Sequence, residues 1–339
     1  MDEVVKRDSL VMKNAVQDLT HPLMTVVIDT EEEFDWSAPF SRSARSVENI
    51  KHQHRMHQAV FKTFDIKPCY VLDQAVLEDD WSVEYFKTLH GLGEIDLGVH
   101  LHPWLTPPYE EEVSAYNSYQ GNLSEDLEFK KIETITALFE RRIGFSPKIF
   151  KAGRYGLGPN SIALLHRAGY EIDLSVVPNG TYQYQDGGTN YLRAPHQPFE
   201  LQQMAFQPLT RHFTGWLSLI GPALGGLFDY PLAKKLKLIG LLSRLGISRV
   251  VLSPEGMPTS ALYSLLAERV AKGDRFFSMA YHSSSLMKGG SPYAASEENI
   301  DHLCDCLSSV ATYFKEDLGG EFISVTDFAV FAAKELPEE

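Results

Sequence analysis

The sequence predicts a single α/β domain in which parallel strands alternate with crossover helices. Eight short apolar or β-branched segments are predicted strands, and six amphipathic segments lie between them. This alternation is typical of parallel sheets, and seven or eight such units favour a closed or nearly closed barrel. An open, doubly wound sheet is the alternative, although no glycine-rich fingerprint follows the first strand.

The predicted elements follow from hydrophobic periodicity and from the residues that cap them. The strands are predicted at residues 24–29, 68–72, 95–101, 148–152, 171–177, 249–253, 276–281 and 321–325. The helices are predicted at residues 45–63, 81–91, 125–142, 159–168, 259–272 and 296–316. Ser124 provides an N-cap before acidic first-turn residues, and Gly169 ends the helix that Pro159 opens.

Two segments interrupt this alternation. Residues 103–123 are rich in Pro, Tyr, Glu and Asn and are predicted to form a loop, whereas residues 178–256 form a long insertion. Residues 1–23 are predicted to be an N-terminal extension. Residues 24–335 are then one domain that includes the insertion and carries every candidate site residue.

Part of the insertion, residues 232–249, has an amphipathic pattern. Apolar residues recur there at helical spacing, namely Leu232, Leu236, Ile239, Leu242 and Leu245. The basic residues among them are Lys234, Lys235, Lys237 and Arg244. Such a helix could make weak peripheral contact with a membrane or an anionic lipid carrier. The alternative, which is the default for a surface helix, is packing over the domain with a solvated basic face.

Composition narrows the class of protein. The 339 residues carry a formal net charge of -14, which argues against a nucleic-acid partner. Three cysteines, Cys69, Cys304 and Cys306, are too few and too irregular for a disulfide framework. No secretory signal precedes Pro22, and no apolar run is long enough to span a membrane. We therefore expect a cytoplasmic protein with reduced thiols.

Carboxylates appear abruptly where the first predicted strand ends. Met24 to Ile28 is apolar or β-branched, and Asp29 and Glu31 follow it. Side chains alternate along a strand, so these two carboxylates point to the same side. They repel each other unless a cation or a shared proton lies between them, which indicates a metal site.

Two histidines end the third predicted strand. His100 and His102 are two residues apart, so they face the same side and could bind one ion, while Trp104 offers an apolar wall. One carboxylate and two imidazoles with open positions are the usual ligands of a catalytic zinc ion. A pair of core or surface histidines is the alternative for this motif taken alone.

Titratable residues also end two later strands. Lys151 and Arg154 lie in the run from Phe150 to Gly156, where a cation could reach Asp29 and keep it ionised. His282 ends the apolar strand that begins at Phe276. A surface arginine and a structural histidine are the alternatives. Four strand ends with titratable groups nevertheless favour a functional site, because crowding charges costs free energy.

These four clusters, in this order, resemble the polysaccharide deacetylase family, also called the NodB-homology or carbohydrate esterase family 4 domain. The resemblance covers roughly residues 24–330. Four runs are similar to a subgroup linked to lipopolysaccharide and other surface-glycan biosynthesis: Asp-Thr-Glu-Glu-Glu-Phe-Asp-Trp, Gly-Val-His-Leu-His-Pro-Trp, Ala-Gly-Arg-Tyr-Gly and Tyr-His-Ser-Ser-Ser-Leu. The resemblance implies a distorted seven-stranded (β/α) TIM-like barrel, one divalent metal ion and hydrolysis of an acetyl group from a sugar.

The resemblance also implies roles for individual residues. Asp29 corresponds to the catalytic base, His282 to the general acid and Arg154 to the cation that braces the base. The implied metal ligands are Glu31, His100 and His102, with zinc the expected ion and cobalt, nickel or manganese the alternatives.

Three positions depart from the family pattern. Trp104 stands where the family has its second histidine, so His102 is the substitute. Lys151 competes with Arg154 for the bracing role, and Glu32 or Glu33 could replace Glu31 as the ligand.

The expected substrate is an acetylated sugar or glycan, free or lipid-linked, and the expected acetyl is amide-linked. Aromatic and cationic residues near the motifs are the candidate substrate contacts: Trp36, Trp104, Tyr109, Tyr155 and Lys151. Core packing is the alternative for the first three. Two competing functions are a glycan-binding pseudoenzyme, suggested by the missing histidine, and an amidohydrolase-type metal hydrolase.

Overall fold

A computed structural model of the chain describes residue 16 and residues 19–334. Most of the predicted N-terminal extension, and residue 335 at the predicted end of the domain, lie outside the described residues. The strands, in chain order, are β1 Leu23–Thr30, β2 Cys69–Leu72, β3 Asp96–Leu101, β4 Ile149–Ala152, β5 Ile172–Asp173, β6 Phe199–Leu201, β7 Met204–Phe206, β8 Arg211–Thr214, β9 Ser248–Val251, β10 Phe276–His282 and β11 Glu321–Phe322.

Helices connect most of these strands. The α-helices are Gln53–Met56, Lys62–Phe64, Gln74–Glu78, Asp80–Gly91, Glu125–Ile143, Ser161–Arg167, Gly225–Asp229, Pro231–Lys235, Leu238–Arg244, Thr259–Ala271, Glu297–Glu316 and Val325–Lys334. A π-helical turn, His57–Phe61, joins the first two. Short 3-10 segments lie at Glu48–His52, Gln120–Asn122, Gly153–Tyr155, Ser218–Leu224 and Ser283–Leu286. The predicted N-cap at Ser124 is present, because its side chain accepts a hydrogen bond from the Leu127 N–H.

Nine strands form one curled sheet in the order β10-β1-β2-β3-β4-β5-β7-β6, and β11 also pairs with β1. All of these pairings are parallel except that of β6 with β7. The curl is evident because Lys151 on β4 contacts Asp29 on β1. Three strand spacings of about 4.8 Å would hold those strands too far apart in a flat sheet.

The α/β class and the parallel order are as the sequence predicts. No ladder of the described residues joins β10 to β6, so the closed seven-stranded count stays a prediction. The segment after β7 partly fills the opening: the Thr210 N–H donates to Ser278 O at 3.0 Å, and the Leu252 N–H donates to Thr210 O at 2.8 Å. The strand predicted at 249–253 pairs antiparallel with β8 in a separate two-stranded sheet.

Alternation along β1 divides the core and places the first carboxylate. Ile28 belongs to the large apolar cluster between the sheet and its helices, whereas Val27 belongs to a smaller cluster on the opposite, inner face. Asp29 shares the side of Val27, so it points into the concave interior of the curled sheet. The free cysteines Cys69, Cys304 and Cys306 are all buried.

The insertion differs from its prediction. It forms the β8–β9 hairpin, and residues 215–247 between the two strands contain three short helices. The amphipathic helix predicted near 232–245 is broken at Lys237, whose φ of 56° lies in the left-handed region. None of the described helices combines the length and apolar character that crossing a membrane requires.

Candidate metal centre and active site

Glu31, His100 and His102 converge in the interior of the sheet. Glu31 follows β1, His100 lies on β3, and His102 comes directly after β3. Glu31 Oε2 is 3.7 Å from His100 Nε2 and 3.4 Å from His102 Nε2. All three residues are buried, and they form a group that could hold a metal ion. Because side chains two residues apart along a strand point to the same side, His100 and His102 face the same way. The curl of the sheet then brings Glu31 to them from β1, although β2 lies between β1 and β3.

Hydrogen bonds on the far side of each imidazole set its tautomer. His100 Nδ1 lies 3.0 Å from the backbone oxygen of Lys151, which can only accept, so this nitrogen donates. His102 Nδ1 donates to Glu32 Oε2 at 2.8 Å. Both Nε2 atoms therefore direct a lone pair at Glu31. An acceptor behind each ligating histidine is the usual arrangement at metal sites.

The distances and the protonation of these three side chains fit the binding of a divalent ion. Two ligands about 2.1 Å from an ion in tetrahedral geometry are about 3.4 Å apart, which is close to both Glu31–imidazole distances. Glu31 Oε1 is buried and has no hydrogen-bond partner among the described residues. Burial raises the pKa of Glu31 to about 8, while His282 and His102 oppose that shift. Burial also lowers the pKa values of His100 and His102, so both imidazoles are neutral at pH 7.

The neighbouring carboxylates are already engaged by protein donors. Glu32 accepts from His102 Nδ1 and, at 3.0 Å, from Trp104 Nε1. Asp73 accepts from the backbone N–H groups of Glu32 and Val76. Glu32, Asp73 and His102 form a second group close enough to hold an ion, but their hydrogen bonds are satisfied without one. 

Glu33 lies outside both groups. Its Oε1 accepts from the Asn49 N–H at 2.6 Å, and its Oε2 accepts from Ser46 Oγ at 2.7 Å. Of the three glutamates that the sequence left as possible ligands, Glu31 is therefore the one with a free, buried oxygen.

Asp29 is paired with Lys151 and not with Arg154. Lys151 Nζ donates to Asp29 Oδ1 at 2.5 Å, and both side chains are buried. Burial alone would raise the pKa of Asp29, but Lys151, His100 and His282 outweigh it and lower that pKa below its usual range. Arg154 has a φ of 55° and donates to Ser118 Oγ, with its guanidinium 4.0 Å from the centre of the Tyr119 ring. Of the two cations that the sequence offers for the bracing role, Lys151, which is also a predicted substrate contact, is the one that contacts Asp29.

His282 ends β10, where it is paired in register with Asp29 of β1. Its Nδ1 donates to Glu255 Oε2 at 2.9 Å, and its Nε2 is 3.8 Å from Asp29 Oδ2. Burial alone would lower the pKa of His282, but Glu255, Glu31 and Asp29 raise it to about 10. Glu255 is fixed in turn, because Oε1 accepts from the His282 N–H at 3.0 Å and from Ser285 Oγ.

Two of the predicted aromatic substrate contacts, Trp36 and Tyr155, line cavities at or beside the site. Trp36 is 40% exposed and meets His282 edge-on, with ring centres 5.1 Å apart. It lines an open cavity of about 630 Å³ beside the site. Tyr155 lines a smaller cavity of about 120 Å³ that includes Asp29 and His282.

Trp104 and Tyr109, which are also predicted substrate contacts, line neither of the two cavities. Trp104 is buried and stacks on His102, with ring centres 4.3 Å apart, so it supports the ligand from behind. Tyr109 accepts a hydrogen bond from Arg45 at 2.6 Å and packs under the guanidinium of Arg42. Tyr109 is therefore not among the residues that line the two cavities next to the site.

Sequence reasoning missed two carboxylates, Glu255 and Asp73. Glu255 follows the apolar run Val250-Val251-Leu252, and Asp73 follows Leu72 at the end of β2. Each carries the same signal, a titratable residue after a strand, that identified the other clusters. Glu255 also lies inside the predicted insertion at residues 178–256, where no site residue is expected from the sequence.

Comparisons with known proteins establish the fold. No protein-family profile matches the chain, and no curated protein matches it. A Mycobacterium smegmatis protein described as a polysaccharide deacetylase is 11% identical and has a TM-score of 0.52, with 99% of this chain and 98% of that chain covered. The allantoinase Puue is 12% identical and has a TM-score of 0.52, with 96% and 94% covered.

A third similar structure is the 4-alpha-glucanotransferase from Thermococcus litoralis, at 10% identity and a TM-score of 0.50. The alignment covers 92% of this chain and 40% of that larger enzyme. The chain is therefore similar in fold to proteins of three different descriptions. An assignment of activity depends on the geometry of the site.

Proposed function

We propose that this protein is a metal-dependent hydrolase that removes an acetyl group from a sugar. One observation carries the proposal: the buried donors Glu31, His100 and His102 converge beside Asp29 and His282, whose Oδ2 and Nε2 atoms are 3.8 Å apart. The order of the sequence motifs supports the same activity, and the fold is shared with a protein described as a polysaccharide deacetylase.

Glu31 Oε2 and the two Nε2 atoms of His100 and His102 would hold the ion. When bound, a divalent ion there would polarise the acetyl carbonyl and acidify a water molecule. Displacement of the proton from Glu31 would accompany binding, because the pKa of Glu31 is about 8 without the ion.

Asp29 and His282 are suited to opposite proton transfers. Asp29 is kept ionised by Lys151, so it can accept the proton of the attacking water as the water oxygen bonds to the acetyl carbon. His282 is protonated at neutral pH, so its Nε2 can donate to the leaving amine as the carbon–nitrogen bond breaks. The products are acetate and a free amino sugar.

The two cavities suit the two parts of such a substrate. The small cavity is lined partly by apolar groups, including Leu209, Val251 and Tyr155, and would take the acetyl methyl. The larger cavity contains the exposed ring of Trp36, on which a sugar ring could stack, and the backbone of Gly289 and Gly290.

Finer features of the function rest on the motif resemblance. We propose an amide-linked acetyl on a precursor of lipopolysaccharide or another surface glycan, free or lipid-linked, with zinc as the native ion. The resemblance also supports a seven-stranded barrel, and the three buried free cysteines support a cytoplasmic location.

Metal analysis combined with acetate release tests the proposal. The panel contains N-acetylated and O-acetylated sugars in free, nucleotide-linked and lipid-linked forms, together with allantoin. We expect one restorable divalent ion per chain, lost in His102→Ala and Glu31→Gln but retained in His54→Ala, a control at an exposed histidine. Acetate release should follow the metal content.

Other outcomes assign the other functions. A folded protein that takes up no divalent ion would be a glycan-binding pseudoenzyme. Turnover of allantoin without acetate release would indicate the amidohydrolase-type alternative. Asp29→Asn and His282→Ala should each lower the rate about 10²–10⁴-fold, and near wild-type rates in both variants would refute the proton-transfer roles.

A further inference from the structure

The β8–β9 hairpin carries an exposed apolar surface far larger than isolated surface leucines would produce. Seven large apolar side chains of this segment are at least half exposed: Trp216, Leu219, Ile220, Leu232, Leu236, Leu241 and Leu245. We call these residues the hairpin surface. Trp216 is 78% exposed and Leu219 is 85% exposed, which is unusual for side chains of this size.

Packing on the opposite side fixes the orientation of these residues. Phe213, Phe228 and Ile247 are buried in a small core of their own, and Ile239 and Leu242 pack against it. The predicted apolar stripe is therefore split between two faces: Ile239 and Leu242 face the small core, whereas Leu232, Leu236 and Leu245 are exposed. The remaining leucines face outward as part of the folded arrangement.

The charge of this segment is opposite to that of the chain. Residues 212–249 contain one acidic residue, Asp229, and Arg249 Nη2 binds its Oδ1 at 2.6 Å. Lys235, Lys237 and Arg244 are exposed, and none of them forms an ion pair among the described residues. A locally basic, apolar surface is thus present on a chain whose formal net charge is -14.

We propose that the hairpin surface docks the protein on an anionic lipid bilayer. Apolar side chains flanked by basic ones are the pattern of segments that lie in the headgroup region, and tryptophan is enriched at that depth. Lysine and arginine side chains are attracted to anionic headgroups. The rest of the protein surface is acidic and would be repelled by the same headgroups.

A second copy of the chain is a poorer occupant of this surface. A two-fold contact would bring the same surface of each protomer together. The interface would then contain the basic side chains of both protomers, namely two copies each of Lys235, Lys237 and Arg244. Repulsion between these like charges opposes association.

The same hairpin reaches the candidate active site. β9 ends at Val251, and Val251, Ser253 and Glu255 line the small cavity that contains Asp29 and His282. Docking would therefore bring the site near the bilayer. If the proposed function holds, this proximity favours a glycan carried on a lipid, whereas the docking itself does not depend on that function.

Vesicle co-sedimentation of the full chain tests the docking. We expect binding to phosphatidylcholine vesicles that contain phosphatidylglycerol, weak binding to pure phosphatidylcholine, and release by salt. Lys235→Gln/Lys237→Gln/Arg244→Gln should weaken partitioning on the order of 100-fold, since each cation near an anionic surface contributes about fivefold. Leu236→Asn/Leu241→Asn should also weaken binding to the same vesicles at low salt, although it leaves the charge of the surface unchanged.

Matched controls separate docking from general changes in charge or apolarity. Leu92→Asn removes a leucine that is 65% exposed on another part of the surface. Lys51→Gln/Lys130→Gln/Lys148→Gln removes three exposed cations elsewhere. Both controls should bind like wild type, and thermal unfolding should show that all variants are folded.

Three results would overturn the docking proposal: no sedimentation with anionic vesicles, equal binding by hairpin and control variants, or a dimer that Leu236→Asn/Leu241→Asn abolishes. The last result would assign the surface to self-association. Acetate release from a water-soluble substrate would be unaffected in every case, so failure of docking and failure of the proposed hydrolysis are distinguishable.

Discussion

Lys151 Nζ lies 2.5 Å from Asp29 Oδ1 although β2 and β3 separate their strands in the sheet. Only a strongly curled sheet permits this contact, since the two side chains must meet across the concave interior. The curl therefore determines the protonation state of the candidate base. It does so without an arginine, because Arg154 turns away toward Tyr119.

Replacing Lys151 with methionine should move the acid limb of the pH–rate profile to higher pH. Without the ammonium, burial of Asp29 is less opposed and its pKa rises. The measurement is kcat/KM for acetate release against pH. Lys151→Arg should restore much of the profile, and Lys148→Met, at an exposed lysine near β4, should leave it unchanged.

Replacing Glu255 with glutamine should move the alkaline limb to lower pH. The Glu255 carboxylate holds the pKa of His282 near 10, so a neutral amide lowers that pKa and fewer molecules carry the acid at a given pH. Titration of the His282 ring by NMR in the metal-free variant measures the shift directly. Glu298→Gln, at an exposed position, is the control, and an unchanged His282 pKa would remove Glu255 from this role.

A methyl group at Gly153 should disturb the metal centre without altering any ligand. A Cβ there would lie 2.5 Å from His102 Cδ2 and 2.6 Å from the backbone oxygen of Leu101, so the imidazole must move. We expect Gly153→Ala to weaken metal affinity about 10–100-fold, measured by competition with a chelator. Gly91→Ala, where a Cβ meets nothing within 4 Å, should retain wild-type affinity.

The buried carboxyl of Glu128 should make the free energy of unfolding depend on pH. Burial raises its folded-state pKa to about 7 from 4.5, so the folded state binds the proton more tightly and loses stability as the pH rises through that window. Glu128→Gln removes this loss and can still accept hydrogen bonds from Gln120 and Ser161.

Relative to wild type, Glu128→Gln should therefore gain up to about 3 kcal/mol between pH 4.5 and pH 7, measured by urea unfolding at several pH values. Glu133→Gln, at an exposed position of the same helix, should show no such gain. A constant difference across the window would mean that Glu128 ionises normally in the folded protein.

Local sequence patterns predicted the parts of the site that depend on local geometry. Strand alternation was sufficient to place His100 with His102, and Asp29 with Glu31, because the members of each pair are two residues apart. The curl of the sheet then brings Glu31 and the two histidines together. The α/β class followed from the alternation of strands and helices.

Local patterns do not predict contacts that depend on the path of the chain between distant strands. The choice of Lys151 over Arg154 depends on a left-handed turn at Arg154, which redirects the chain directly after β4. Alternation from Phe150, which faces the outer core, would nevertheless have placed Lys151 on the inner face. Glu255 carries the same local signal as the other clusters, but its position beside His282 depends on the antiparallel β8–β9 pairing, which lies outside the main sheet.

That antiparallel pairing makes residues 215–247 separable from the main sheet and from the candidate site. Thr214 and Ser248 are directly opposite each other in the ladder, so everything between them enters and leaves at a single point. A short turn could close the two strands there, as in an ordinary hairpin. Residues 215–247 could therefore be replaced by such a turn without breaking a pairing of the main sheet, so the hairpin surface and the candidate site are structurally independent of each other.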